Sequence, residues 1–251
     1  MIHAVIFLND LAVLNRKESE GYFDCSKKAV YSFLFVLPLI LIYEFMILVT
    51  GTNIRNGADV ILKLFFNLIG IKTIVGFTLI IMFVYAYIVF SERAKNTEVV
   101  YPVYFVYMFM ESYIYSLFLG PAVIKLTERV APGLAAGGRG FSMSDRFIAS
   151  IGAGIYEEFV FRLVMISVFI YLFKKFIGMS EWQAAVFAIF WAAFIFSGFH
   201  YIGELGDRFD VTSFLFRFIA GVILSILYFL RGYGIAVYTH ALYDIKVFFF
   251  I

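Results

Sequence analysis

The chain has 251 residues, 63% of them hydrophobic and 21% aromatic, and its mean hydropathy is +0.93. These values exclude an ordinary soluble domain and describe an integral membrane protein. The formal net charge is +2, and the basic residues are scattered at the ends of apolar runs rather than gathered in a stripe, so no nucleic-acid partner is expected. A lone cysteine, Cys25, leaves no second thiol for an internal disulfide, a metal cluster or a redox pair.

Residues 2–14 are apolar but interrupted by Asn9 and Asp10, and they lack a small-x-small cleavage pattern. The spacing of Ile2, Val5, Ile6, Leu8 and Ala12 predicts a short helix lying along the membrane surface rather than a cleaved signal. A bilayer core takes about 20 apolar residues per helix. On that measure spans are expected over roughly 29–50, 73–90, 99–119, 147–173, 183–202, 211–230 and 233–251. Residues 57–71 are apolar but short and carry Lys63 and Asn67, which fits an eighth, tilted span, a re-entrant piece or an interfacial helix. The stretch 121–146 holds Pro121, Pro132 and the run Ala-Ala-Gly-Gly-Arg-Gly at 135–140, and reads as a long loop able to act as a flap. The expected fold is all-α: one polytopic membrane helix bundle over 1–251, with seven or eight transmembrane helices and a motif-bearing core at about 145–246. The distribution of Lys and Arg between the two sides is too even to set the orientation.

Within the fourth span, Glu157, Glu158 and Arg162 fall in two helical turns. Each charge in a membrane helix costs at least ~2.5–3.5 kcal/mol on insertion scales, so three together need partners. Glu158 and Arg162 are four residues apart and within salt-bridge reach, whereas Glu157 points about 100° away. One reading is a structural ion network of all three. The other is a brace made by Glu158 and Arg162, which leaves Glu157 as a desolvated carboxylate able to act as a general base. Two of the three histidines, His200 and His240, sit at the ends of apolar segments. Each alone reads more readily as a structural histidine or an interhelical hydrogen bond than as a functional one. His240 shares a helical face with Asp244, four residues on, and Phe196 shares one with His200. A glutamate and two histidines, one with an adjacent carboxylate, can activate water and stabilise an oxyanion, as amide hydrolysis requires.

These residues resemble the motifs of the CPBP family, the intramembrane proteases that include type II CAAX prenyl endopeptidases and bacteriocin-processing or immunity proteins. Glu157-Glu158-Phe-Val-Phe-Arg162 is similar to that family's Glu-Glu-x-x-x-Arg. Phe196-Ser-Gly-Phe-His200 is similar to Phe-x-x-x-His, and His240-Ala-Leu-Tyr-Asp244 to His-x-x-x-Asn/Asp. The resemblance covers about residues 145–246, with Phe218 and Gly221 inside it. It implies a multi-helix endopeptidase in which Glu157 is the base, His200 holds or polarises the water, His240 and residue 244 face the oxyanion, and Glu158, Arg162 and Phe196 support the site. The last motif position is most often Asn in the prenyl-protease branch, and an ionised Asp244 would repel an oxyanion. Asp244 is therefore expected to orient His240 by accepting its ring N–H, or to donate a hydrogen bond as the neutral acid.

No cofactor is expected on this reading. The nearest alternative is a zinc protease with Glu157, His200 and His240 as ligands. A non-catalytic scaffold or immunity protein and, prompted by Glu44 and Glu111, a proton-coupled transporter are the others. The expected partners are the lipid bilayer and a membrane-associated or lipidated peptide or protein substrate, with the protein in the plasma membrane of a prokaryote. Tyr156, Phe161 and Phe199 are candidates, with Phe196, to wall the site, Trp182 reads as interfacial and Trp191 as a packing residue.

Overall fold

The computed structural model describes residues 21–51, 57–60, 100–130, 142–202 and 206–250. The expected surface helix at 2–14, the span at 73–90 and all of 57–71 beyond residue 60 lie outside these. Every described element is helical, and no strand occurs among the described residues. Helices satisfy their own backbone polar groups, which a bilayer cannot do for them.

A short α1 (Tyr22–Cys25) leads into α2 (Ala29–Thr50), and α3 spans Pro102–Val130. Helix α4 (Met143–Gly152) continues without a break as a π-helical stretch, Ala153–Ile166, then as α5 (Ser167–Leu172) and a second π-helical stretch, Phe173–Ile177. Helices α6 (Glu181–Phe199), α7 (Val211–Arg231) and α8 (Tyr233–Phe250) complete the bundle. Among the described residues four helices are long and apolar enough to cross a membrane: α2, α3 over Pro102–Glu128, α6 and α7. The stretch from α4 to Ile166, the C-terminal end of α6 and α8 carry the ionisable motif residues.

Several ends follow local chemistry. Ser142 caps α4 by accepting from the Asp145 N–H, Ser180 and Gln183 form a capping box on α6, and Asp210 caps α7 through the Ser213 N–H. The expected loop at 121–146 is shorter than its composition suggests, because α3 runs through Pro121 to Val130 and α4 starts at Met143. A proline removes one N–H from the ladder. In a bilayer, breaking the helix would orphan many more groups, so the helix continues. Pro132 and the glycine run lie in 131–141, outside the described residues.

Large apolar side chains cover the exterior, including Leu48, Phe118 and Phe176, as expected where acyl chains are the solvent. Trp182 is exposed at the start of α6, in keeping with an interfacial place. Trp191 is 44% exposed rather than packed inside, and its ring meets Phe190 and Phe194 along the outer face. The interior is organised around α8, whose Ile235, Ala236 and Val237 are fully buried. Glu111 and Glu44 both have partners. Arg231 Nη2 donates to Glu111 Oε2 at 2.9 Å and to Ser26 Oγ at 2.9 Å, while Tyr22 and Tyr115 also donate to Glu111. This network ties the start of the chain to α3 and the end of α7. Glu44 accepts from Tyr156 Oη at 3.2 Å.

Gly154 sets the separation of the π-helical stretch from α8. A Cβ there would lie 2.7 Å from both Ala241 Cβ and the Val237 carbonyl oxygen. Gly154→Ala is expected to destabilise the protein by about 1–3 kcal/mol through overpacking against backbone. Gly198→Ala, at a position with nothing within 4 Å, is expected to be neutral. Thermal unfolding of both variants in detergent checks the contrast.

Candidate active site

The close approach at Gly154 brings the two glutamates of the π-helical stretch against His240. Such i→i+5 segments are rare and often mark functional sites. Glu157, Glu158, Arg162 and His240 are all buried, the most exposed of them at 6%. Glu158 Oε1 lies 2.7 Å from His240 Nδ1 and 3.1 Å from Arg162 Nη1. A carboxylate only accepts, so Nδ1 carries the hydrogen and donates it. Two further carboxylates face the other ring nitrogen: Asp244 Oδ2 is 3.5 Å and Glu157 Oε2 is 3.9 Å from His240 Nε2. The adjacent glutamates thus meet opposite sides of one imidazole.

His240 donates its short hydrogen bond to Glu158, not to Asp244. Sequence reasoning linked Glu158 only to Arg162, because the i, i+4 spacing is local while the contact with His240 depends on how two helices pack. Asp244 occupies the Nε2 side with Glu157.

Phe196 joins this cluster to His200. Its ring centroid lies 5.0 Å from that of His200, 6.4 Å from that of His240 and 5.2 Å from that of Phe161, all edge-on. The Arg162 guanidinium sits over the same ring at 4.4 Å, a cation–π contact that offsets part of its burial. His200 caps α6, and its Nδ1 donates to the Phe196 carbonyl at 2.9 Å. That bond leaves Nε2 as the acceptor of the neutral ring. Tyr156 and Phe161 are buried beside the glutamates, and the Phe199 ring meets those of Phe161 and His200.

Two residues that no motif signalled also stand here. Asp207 N–H donates to the His200 carbonyl at 2.9 Å, and its carboxylate holds Arg217 at 2.6 Å. Arg217 in turn lies at 5.2 Å over the ring of Tyr201, next to His200 in the chain. Among the described residues no group of three or more His, Cys, Asp and Glu, including Glu157, His200 and His240, is gathered as a metal-holding set.

A helical membrane protein with a buried carboxylate–imidazole cluster is the class that fold and geometry define. Residues 140–245, less than half of the chain but all three motifs, match the family described as type II CAAX prenyl endopeptidase Rce1-like. That segment is similar to a membrane protease of this family, in agreement with the motif resemblance. No curated protein and no solved structure matches the chain.

The charge balance around Arg162 has a measurable consequence. Arg162→Met leaves Glu158 and His240 without their third member and is expected to destabilise the fold by about 3–5 kcal/mol, as breaking a buried pair does. Adding Glu158→Gln to that variant is expected to recover part of the loss. Chemical unfolding of single and double variants in mixed micelles measures the difference.

Proposed function

We propose that this protein is an intramembrane endopeptidase that hydrolyses a peptide bond of a membrane-associated or lipidated peptide, with Glu157 as general base. The observation that carries the proposal is the placement of carboxylates on both nitrogens of the buried His240, within the segment that matches an endopeptidase family. The prenylated CAAX tail of the family's description belongs to the proposed class of substrate.

In the proposed reaction Glu157 takes a proton from water, and the resulting hydroxide attacks the scissile carbonyl carbon. The carbonyl oxygen becomes an oxyanion, which the second ring hydrogen of a His240 imidazolium, on Nε2, stabilises while Nδ1–H stays with Glu158. Glu158 holds the ring through Nδ1, so Nε2 keeps its direction while charge develops. As the tetrahedral intermediate collapses, the C–N bond breaks and Glu157 returns the proton to the leaving nitrogen, giving an acid and an amine. His200, fixed through Nδ1 to its own helix, offers Nε2 to the attacking water. Asp244 supports His240 from the side that faces Glu157.

Cleavage of a membrane-associated peptide by purified protein tests this reading. Glu157→Gln is expected to lower kcat by about 10²–10⁴, the range for a positioned acid–base group, while the protein stays folded. Cleavage should persist in a chelator. Loss of activity on chelation would favour zinc, and unaltered cleavage by the Glu157 variant would remove this carboxylate from the chemistry. Asp244→Asn is expected to lower kcat about tenfold, the value of one orienting contact near 1.4 kcal/mol. An unchanged rate and pH profile would show that Asp244 does not act through His240.

A further inference from the structure

A second site lies at the start of α8, roughly 10 Å along the helix from His240 at 1.5 Å per residue. Here a cavity of about 320 Å³ opens between α2, the π-helical stretch, α7 and α8, lined by Lys27, Ser32, Phe33, Leu163, Tyr228 and Gly232 among others. None of these belongs to the cluster around Glu157.

The two helices that begin at this cavity start side by side. A Cβ on Gly232 would lie 3.1 Å from Lys27 Cα, and one on Gly234 would lie 3.0 Å from Ser32 Cα. Gly232 has φ +87, a conformation glycine adopts without strain, and this lets α7 turn straight into α8. The opening N–H groups of a helix have no partner within it, and the macrodipole places partial positive charge there. Two such ends meet at one cavity beside the C-terminal turn of α7, whose dipole opposes theirs, and Lys27, exposed at its rim, adds the full positive charge that tips the balance.

Ser32 is the independent sign of a ligand. Its side chain is 2% exposed, and Oγ has no hydrogen-bond partner. Helical hydroxyls elsewhere in the bundle bond back to the carbonyl four residues earlier: Thr50, Ser112, Thr127, Ser150, Ser167 and Ser225 all do so at 2.6–2.8 Å. Ser32 has the Lys28 carbonyl at the same spacing and does not use it for its side chain. A buried hydroxyl left in this state is unfavourable unless a partner enters from outside the helix.

We propose that this cavity binds a phosphate group, with Lys27 and Ser32 as its side-chain ligands and the paired starts of α2 and α8 as its dipolar base. Phosphate carries the negative charge and the acceptor oxygens that such helix ends favour. The apolar wall of Phe33, Leu163 and Tyr228 accommodates the glycerol and upper acyl carbons of a phospholipid, and a basic residue at a membrane boundary attracts anionic headgroups. A soluble phosphate would use the same polar ligands without the wall.

The test uses the full chain, delipidated in detergent, with dioleoylphosphatidylglycerol, dioleoylglycerol and inorganic phosphate as probes, read by thermal shift and native mass spectrometry. Phosphatidylglycerol is expected to raise Tm and remain bound, while the phosphate-free dioleoylglycerol does neither. Ser32→Ala and Lys27→Gln are each expected to weaken phosphatidylglycerol binding about fivefold or more, as loss of one hydrogen bond or charge contact does. A shift from inorganic phosphate with the same dependence on both residues supports the site and assigns it to a soluble ligand. Equal protection by dioleoylglycerol, or wild-type phosphatidylglycerol binding in both variants, overturns the proposal. Lys27 is exposed, so Lys27→Gln decides the matter alone if Ser32→Ala does not fold.

Discussion

One oxygen atom, Glu158 Oε1, holds both Arg162 and His240, and the rest of the site takes its form from that double contact. A guanidinium almost wholly removed from solvent requires a nearby negative charge, and an imidazole in the same place requires a fixed acceptor. Using one carboxylate for both ties the helix that carries the glutamates to α8. It also fixes the direction of the His240 ring, which decides what the opposite nitrogen can face. Glu157 and Asp244 lie on that opposite side.

This contact requires the helices to come unusually close. Gly154 lies one helical turn before Glu158, against Val237 and Ala241 of α8. Gly221 does the same for α7 against α6, where an added Cβ would meet Ala193 and Phe196 at 3.1–3.2 Å. That second approach presses Phe196 toward the cluster. Small residues serve close helix contact in membranes because no hydrophobic force separates protein from lipid. Just before the start of α8, Glu111 and Arg231 form a second, part-buried pair, so polar contacts fix the neighbours of α8 at its start and at its middle.

Much of this was legible in the sequence for physical reasons. The expected spans at about 29–50 and 211–230 correspond closely to Ala29–Thr50 and Val211–Arg231, because long apolar runs have few alternatives in a bilayer. The pairing of Glu158 with Arg162 followed from local spacing. Other features depend on tertiary structure. Proline normally ends helices in water, so in the sequence Pro121 signals a break, but the bilayer keeps α3 intact. The bond from Glu158 to His240 crosses 82 positions, and the place of Arg217 and Asp207 beside His200 has no periodic signature. The π-helical backbone under the glutamates also differs from the α-helical geometry assumed for them.

The aromatic ring shared by the two histidines affects proton movement. His200 and His240 each meet Phe196 edge-on, and a phenyl side chain has neither an exchangeable hydrogen nor a lone pair to offer. The contact therefore cannot conduct a proton between the imidazoles, although it keeps both in position. A proton passing from one ring to the other must therefore take a route around this phenyl group.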